Sequence, residues 1–189
     1  MFRRLTLVLA LALLTTLPLL AQDSDDKNLD IRSSVGDLHV GSDVDAKKIG
    51  VPLYPGARLK TDDKDNNQAN LSLLTEAFGF KLVVASYESN DRPAKVVDFY
   101  RDKLKRYGKV LECHSHKHGG NVEAHEGQDS DKDSKEGKEL KCNENSGPVT
   151  ELKVGTEDNQ HVVAVEPREG TGSTFSLVYV HTRGKRGDI

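Results

Sequence analysis

Ten residues, Phe80 to Ser89, leave no polar face for water. Phe80, Leu82 and Val84 point to one side of an extended chain, and Val83, Ala85 and Tyr87 to the other. Successive side chains of a strand leave opposite faces, so a strand apolar on both belongs in the interior of a sheet. The rest of the chain must supply its neighbours. Leu71 to Phe78 is expected as the hairpin partner, with Gly79 at the turn. Lys109 to Glu112, Thr150 to Val154, His161 to Glu166 and Thr174 to Thr182 read as further strands, the last two joined by the turn Arg168 to Ser173. Leu29, Ile31, Val35, Leu38 and Val40 around Gly36-Asp37 read as a short hairpin.

One segment has the period of a helix. Val96, Val97, Tyr100, Leu104 and Tyr107 form an apolar stripe, with Lys95, Asp98, Arg101, Asp102 and Lys105 on the other side. Asp91 is placed to cap it, Pro93 falls in the first turn where a missing N–H costs nothing, and Gly108 supplies the stop. The fold class expected is α+β: a mostly antiparallel sheet with one main amphipathic helix, residues 91–107, packed on one face. After the short hairpin, Gly50-Val51-Pro52-Leu53-Tyr54-Pro55-Gly56-Ala57 reads as an extended loop with a turn at Pro55-Gly56, because its prolines remove backbone donors.

The ends of the chain read differently from its middle. Arg3 and Arg4 precede 17 uncharged residues, Leu5 to Ala21, and Ala21 offers a small residue before Gln22. Positive start, apolar run and small-residue exit form the signature of a secretory signal peptide, 1–21. The competing reading is a retained anchor, although a span needs roughly 20 apolar residues. The organisation that follows is a flexible lead-in at 22–28, a single domain at 29–182 and a mobile basic tail at 183–189. Without residues 1–21 the chain holds 25 Lys+Arg against 30 Asp+Glu, which gives no footprint for nucleic acid and none for an anionic membrane. Export, to a periplasm or outside the cell, is the localisation expected, with no stable membrane span once the signal is removed.

Cys113 and Cys142 are the only cysteines. An even count in an exported chain points to a disulfide between them. The residues they bracket have little to bury: Val122, Ala124 and Leu140 are the only aliphatic side chains from His114 to Lys141. Such a stretch cannot offset the entropy lost on ordering, so a disordered insertion is expected over 114–147.

That insertion carries the densest chemistry in the chain. His114, His116, His118 and His125 are four of its seven histidines. Imidazole is the commonest transition-metal ligand, and a flexible segment of this kind could wrap Zn²⁺, Cu²⁺ or Ni²⁺. The spacing matches no closed structural zinc site, and a solvated loop is the alternative. Asp129-Ser130-Asp131-Lys132-Asp133 opens like a calcium loop, but Ser134 stands where Gly is required and Leu140 where the bidentate Glu belongs. A second candidate is the pair His161 and His181. They share strand parity with Val163, Val165 and with Phe175, Leu177, Tyr179, and a turn centred near Thr171 would set them opposite each other as a ligand or pH-sensitive site.

Catalytic signatures are missing: there is no Gly-x-Ser-x-Gly elbow, phosphate loop, His-Glu-x-x-His helix or Cys-x-x-Cys pair. The stretches GVPLYPGA (50–57) and DRPAKVVDFYRDKLKRYG (91–108) together resemble a pattern in small exported bacterial proteins of unknown function. The resemblance implies an exported bacterial α+β domain and carries no activity. The function expected is a non-enzymatic binding or envelope-associated domain. The alternative is an extracytoplasmic metal-binding or metal-buffering protein that uses the histidine-rich loop.

Overall fold

The computed structural model describes residues 28–42, 44, 46–61, 68–76, 78–118, 139–168 and 170–183. The signal peptide, the lead-in through residue 27, the calcium-like run and His125 lie outside the described residues.

The molecule is a mostly antiparallel sheet with one main helix. Its strands are β1 (Leu29–Ser33), β2 (Gly36–Gly41), β3 (Arg58–Leu59), β4 (Gln68–Leu74), β5 (Gly79–Ser89), β6 (Leu111–Ser115), β7 (Val149–Thr156), β8 (Asn159–Pro167) and β9 (Ser173–Arg183). They run in the order β1-β2-β4-β5-β9-β8-β7-β6, with β3 paired to β5 beside this path. β5 lies inside the sheet as its two apolar faces require, and it pairs with β9 from Gly79↔Arg183 to Ser89↔Ser173.

Helix α2 (Pro93–Leu104) continues as a 3-10 turn, Lys105–Tyr107, and packs on β7, β8 and β9. Val96, Val97, Tyr100 and Leu104 are buried against Tyr87, Leu152, Val163, Phe175 and Leu177. With no Trp in the chain, rings from distant segments supply the bulk. Phe175 lies 5.5 Å from Tyr100 and 5.6 Å from Tyr87, and Phe99 lies 5.0 Å from Tyr100 and 5.2 Å from Tyr54. A short helix, α1 (Ala46–Ile49), adds Ile49 to this core. On the opposite face Val162, Val178 and Val180 form a smaller cluster with Phe80, Leu82 and Val84 packed on it.

Several expectations need correction. Asp91 does not cap α2: Arg92 holds the N-cap position without a side-chain cap bond, and Pro93 follows at N1. The Asp91 carboxylate instead accepts from the Tyr54 hydroxyl (2.8 Å) and from Lys95 Nζ (2.8 Å). The β4–β5 turn is not at Gly79. Thr75 closes it through its side chain, which accepts from the Phe78 N–H and donates to the Phe78 carbonyl, and this frees Gly79 to pair with Leu74. The first hairpin turns at Ser34-Val35 rather than Gly36-Asp37.

Residues at both ends of the segment expected as a disordered insertion, 114–147, are paired in the structure. His114 and Ser115 belong to β6 and pair with Thr150 and Val149. Glu139 bridges Thr156, Asn145 bridges His114, and the Cys113–Cys142 disulfide joins the two ends with Cα atoms 5.5 Å apart. Backbone pairing and the cross-link order these residues without apolar burial, which is why composition alone misplaced the boundary. Arg183, expected as the first residue of the tail, pairs with Gly79.

Two outcomes follow for stability. Tyr100→Ala should destabilise by about 3–5 kcal/mol through the cavity it leaves. Tyr100→Phe should cost about 1–3 kcal/mol, since it strips the buried Tyr54 N–H of its acceptor, and half-buried Arg101→Ala on the outer side of the helix about 1 kcal/mol or less. Urea melts check the order, and equal losses at Tyr100 and Arg101 would contradict the helix face. Second, protein from an oxidising compartment should show no free thiol when denatured. Cys113→Ser with Cys142→Ser should cost about 3.5 kcal/mol for a loop of this length in the chain-entropy model.

Candidate functional site

Of the four histidines expected as metal ligands, the described three, His114, His116 and His118, lie beside different acids. His114 Nε2 lies 4.0 Å from Glu112 Oε1. His116 Nδ1 lies 2.5 Å from Glu144 Oε1, and its backbone N–H donates to the other oxygen of that carboxylate. His118 Nδ1 lies 2.6 Å from Glu166 Oε2. Each imidazole thus faces a different acid, and among the described residues no three His, Cys, Asp or Glu side chains gather as a metal site. Cys113 is held in the disulfide and offers no thiolate. The hydrogen bonds from His116 hold the Glu144 carboxyl below the usual carboxylate range.

His161 and His181 do share one face, but they are not opposite each other. The hairpin centres on Gly170, which takes φ +89°, and not on Thr171. The shift of one residue at the turn moves the register by two, so His161 pairs with Tyr179, and His181 with Asn159. Tyr179 therefore lies between the two imidazoles. The rings make a column: Tyr107 to His161 at 4.2 Å, His161 to Tyr179 at 4.8 Å, and Tyr179 to His181 at 6.4 Å with planes 2° apart.

The two ends of the column have different surroundings. Over His161 lies the Gly50 turn, whose carbonyl accepts from both Arg106 and the Tyr107 hydroxyl. Gly50 takes φ +82°, and a Cβ there would stand 3.4 Å from the Tyr107 hydroxyl. Burial pushes the His161 pKa below its ordinary value; the Ile49 carbonyl opposes this and Arg106 adds to it.

His181 opens instead into a cleft of about 530 Å³ beyond the helix, with Lys48, Lys81, Arg183 and His39 also in its lining. Register explains the composition of this surface. Asp30, His39, Ser72, Lys81, His181 and Asn159 are successive cross-strand partners, so one polar row crosses six strands. The cleft brings together three fixed cations and two imidazoles, with no acidic residue in its lining among the described residues. At the end of the row Asp30 is engaged by His39 Nδ1 at 2.7 Å. Lys81 Nζ sits 5.7 Å from the centre of the Tyr179 ring. His181 Nδ1 is buried and has no hydrogen-bond partner. Such an arrangement can hold an anion through charge and through the donors of Lys81, Arg183 and Asn70.

Of these residues, sequence reasoning identified His181 alone. Lys81 carried a signal: it shares parity with Val83, Ala85 and Tyr87, so a charge stands on the side that becomes the core. Lys48, His39 and Arg183 meet it only through strand order. No family model matches the chain, and neither a curated protein nor a solved structure matches it.

Burial of His161 disfavours its charged form and so couples stability to pH. Its folded pKa lies below the unfolded value, so its contribution is complete above about pH 6.5 and is lost as pH falls through the folded pKa. The His161 ring should titrate by NMR below the ordinary value of 6.5. His161→Phe should reduce the decline in melting temperature as pH falls from about 7 to about 5; an unchanged slope would show that this imidazole is not the titrating group.

Proposed function

We propose that the chain is an exported, non-catalytic binding domain whose ligand presents an anionic group to the cleft around Lys81, Arg183 and His181. The observation that carries this reading is the polar row laid on the face that elsewhere forms the core. Three cations collect there, and His181 Nδ1 is buried without a partner. The apolar run before an acidic, polar lead-in and the disulfide support export. Among the described residues no helix is long and apolar enough to cross a membrane.

The ligand class follows from the donors. Lys48, Lys81 and Arg183 favour a carboxylate or phosphate oxygen over a neutral group, and Leu74 and Phe80 in the same lining can pack an apolar portion next to that charge. The test uses protein spanning residues 22–189, titrated calorimetrically at low ionic strength with citrate, inorganic phosphate and glucose. The anions should bind and glucose should not, and added salt should weaken the interaction. Lys81→Gln and Arg183→Gln should each reduce affinity by about tenfold or more, the value of a charge-assisted hydrogen bond. Binding that is unaffected by both substitutions, or equal for glucose, would refute the assignment.

A further inference from the structure

A sheet of this kind has two edges, and they are not equivalent. The β6 edge is occupied, because Asn145 bridges His114 in parallel on it. β1, the other end of the sheet, has no outer partner among the described strands, and all five of its residues are exposed. An open edge presents a row of backbone donors and acceptors to any strand that fits it. Leu29 is 53 % exposed and Ile31 48 %, beside Val40 at 41 % on the neighbouring strand. Natural edges are blunted by charged side chains or by proline, and β1 carries one of each sign, Asp30 and Arg32, which complement a second copy of the same strand.

We propose that two copies of this chain pair antiparallel through β1 about a twofold axis at Ile31. The register follows from the hairpin. A two-residue turn leaves Ser33 and Gly36 to bond each other, and hydrogen-bonded and non-bonded pairs then alternate along the ladder. Ser33, Ile31 and Leu29 therefore direct their backbone groups inward to β2. Asp30 and Arg32 direct theirs outward. Antiparallel pairing centred on Ile31 sets Asp30 of each copy against Arg32 of the other, so the outward backbone groups pair exactly where opposite charges meet. Arg32 has no ion-pair partner among the described residues of its own chain. The two Ile31 side chains meet at the axis on the other face, next to Leu29. A strand with like charges at 30 and 32 would repel its copy in this register; this one attracts it. The axis stands perpendicular to the sheet, so both basic clefts lie on the same face of the doubled sheet. One strand pair buries less than the roughly 1,000 Å² of a stable interface, and the association is concentration-dependent.

The test is sedimentation velocity on protein spanning residues 22–189 over a wide concentration range, with circular dichroism to confirm the fold of each variant. Wild type should shift from monomer to dimer as concentration rises. Asp30→Arg sets two positive charges against each other and should raise the dissociation constant by about tenfold or more. Arg32→Asp should do the same with two negative charges. The double exchange, Asp30→Arg with Arg32→Asp, should restore dimerisation, which no loss of folding can imitate. A non-bonded antiparallel pair places Cα atoms about 4.5 Å apart, within disulfide reach. Ile31→Cys should therefore give a covalent dimer on oxidation, and Val40→Cys on the inner strand should not. Wild type that stays monomeric throughout would overturn the proposal. So would a dimer indifferent to the single exchanges, a double exchange that fails to recover, or equal cross-linking at positions 31 and 40.

Discussion

Tyr100 holds the molecule together at the point where three separate segments converge. It is fully buried, its ring meets Phe175 of β9, and its hydroxyl accepts the backbone N–H of Tyr54 at 3.0 Å. Burial pushes its phenol far above the ordinary range, so it stays a neutral partner. Tyr54 returns the connection through its own hydroxyl, which donates to Asp91 just before α2. The Pro-rich segment and the helix therefore hold each other as well as the sheet. GVPLYPGA and DRPAKVVDFYRDKLKRYG are joined in this fold by these two bonds. With Tyr100 fixed over Phe175, the following turn brings Arg106 and Tyr107 onto the Gly50 carbonyl and closes the cover over His161.

The elements that read clearly from sequence are those whose apolar period is long and uninterrupted. The α2 stripe from Val96 to Leu104 and the β5 alternation from Val83 to Tyr87 each left one solution, and the structure has it. The errors fall where a polar side chain does work that a hydrophobic pattern cannot register. Thr75 closes a turn assigned to Gly79. Asp91 looks like a helix cap but is engaged by Tyr54 and Lys95. From sequence the turn before β9 reads one residue late, because Gly170, Thr171 and Gly172 offer several similar bends and only the strand register selects among them. That one residue decides whether His161 faces His181 or Tyr179. The cleft was largely illegible for the same reason: Lys81 and His181 are 100 positions apart in the chain and become neighbours only through the β5–β9 pairing.

The polar residues inside β7 show a different limit. Glu151 and Lys153 are buried on the face opposite the main core, 3.0 Å apart, and Ser115 donates to Glu151 at 2.6 Å. Desolvating two charges largely cancels their attraction, so this pair adds little net stability, whereas removing one partner would leave the other buried and uncompensated. Glu151 also stands across from Cys113, where the disulfide brings the 139–147 segment against β6. Cross-link and ion pair together make the end of the sheet polar on a side that an apolar core would otherwise need to cover. The chain can then carry a long stretch with almost nothing to bury without exposing an apolar edge.

Dimensions explain why the cleft exists at all. A helix of 12 residues is about 18 Å long and about 10 Å across. Eight strands in sequence, at about 4.8 Å each, span roughly 34 Å. One helix cannot cover that width, and α2 rests on β7, β8 and β9. Under the helix the core side carries Leu152, Val163 and Leu177; beyond it the same side carries His39, Ser72 and Lys81. The opposite face changes in the reverse sense, from Glu151, Lys153 and Glu166 at one end to Ile31, Leu38, Val40, Leu71 and Leu73 at the other. The apolar side of the sheet thus switches faces along its width, and the switch falls on β5 and β9, where the two halves overlap. A strand shared by both halves must be apolar on both faces. The double-sided pattern of β5 records this crossover rather than a uniform cover on either side, and the cations of the cleft lie on the first stretch of former core surface that water, or a ligand, can reach.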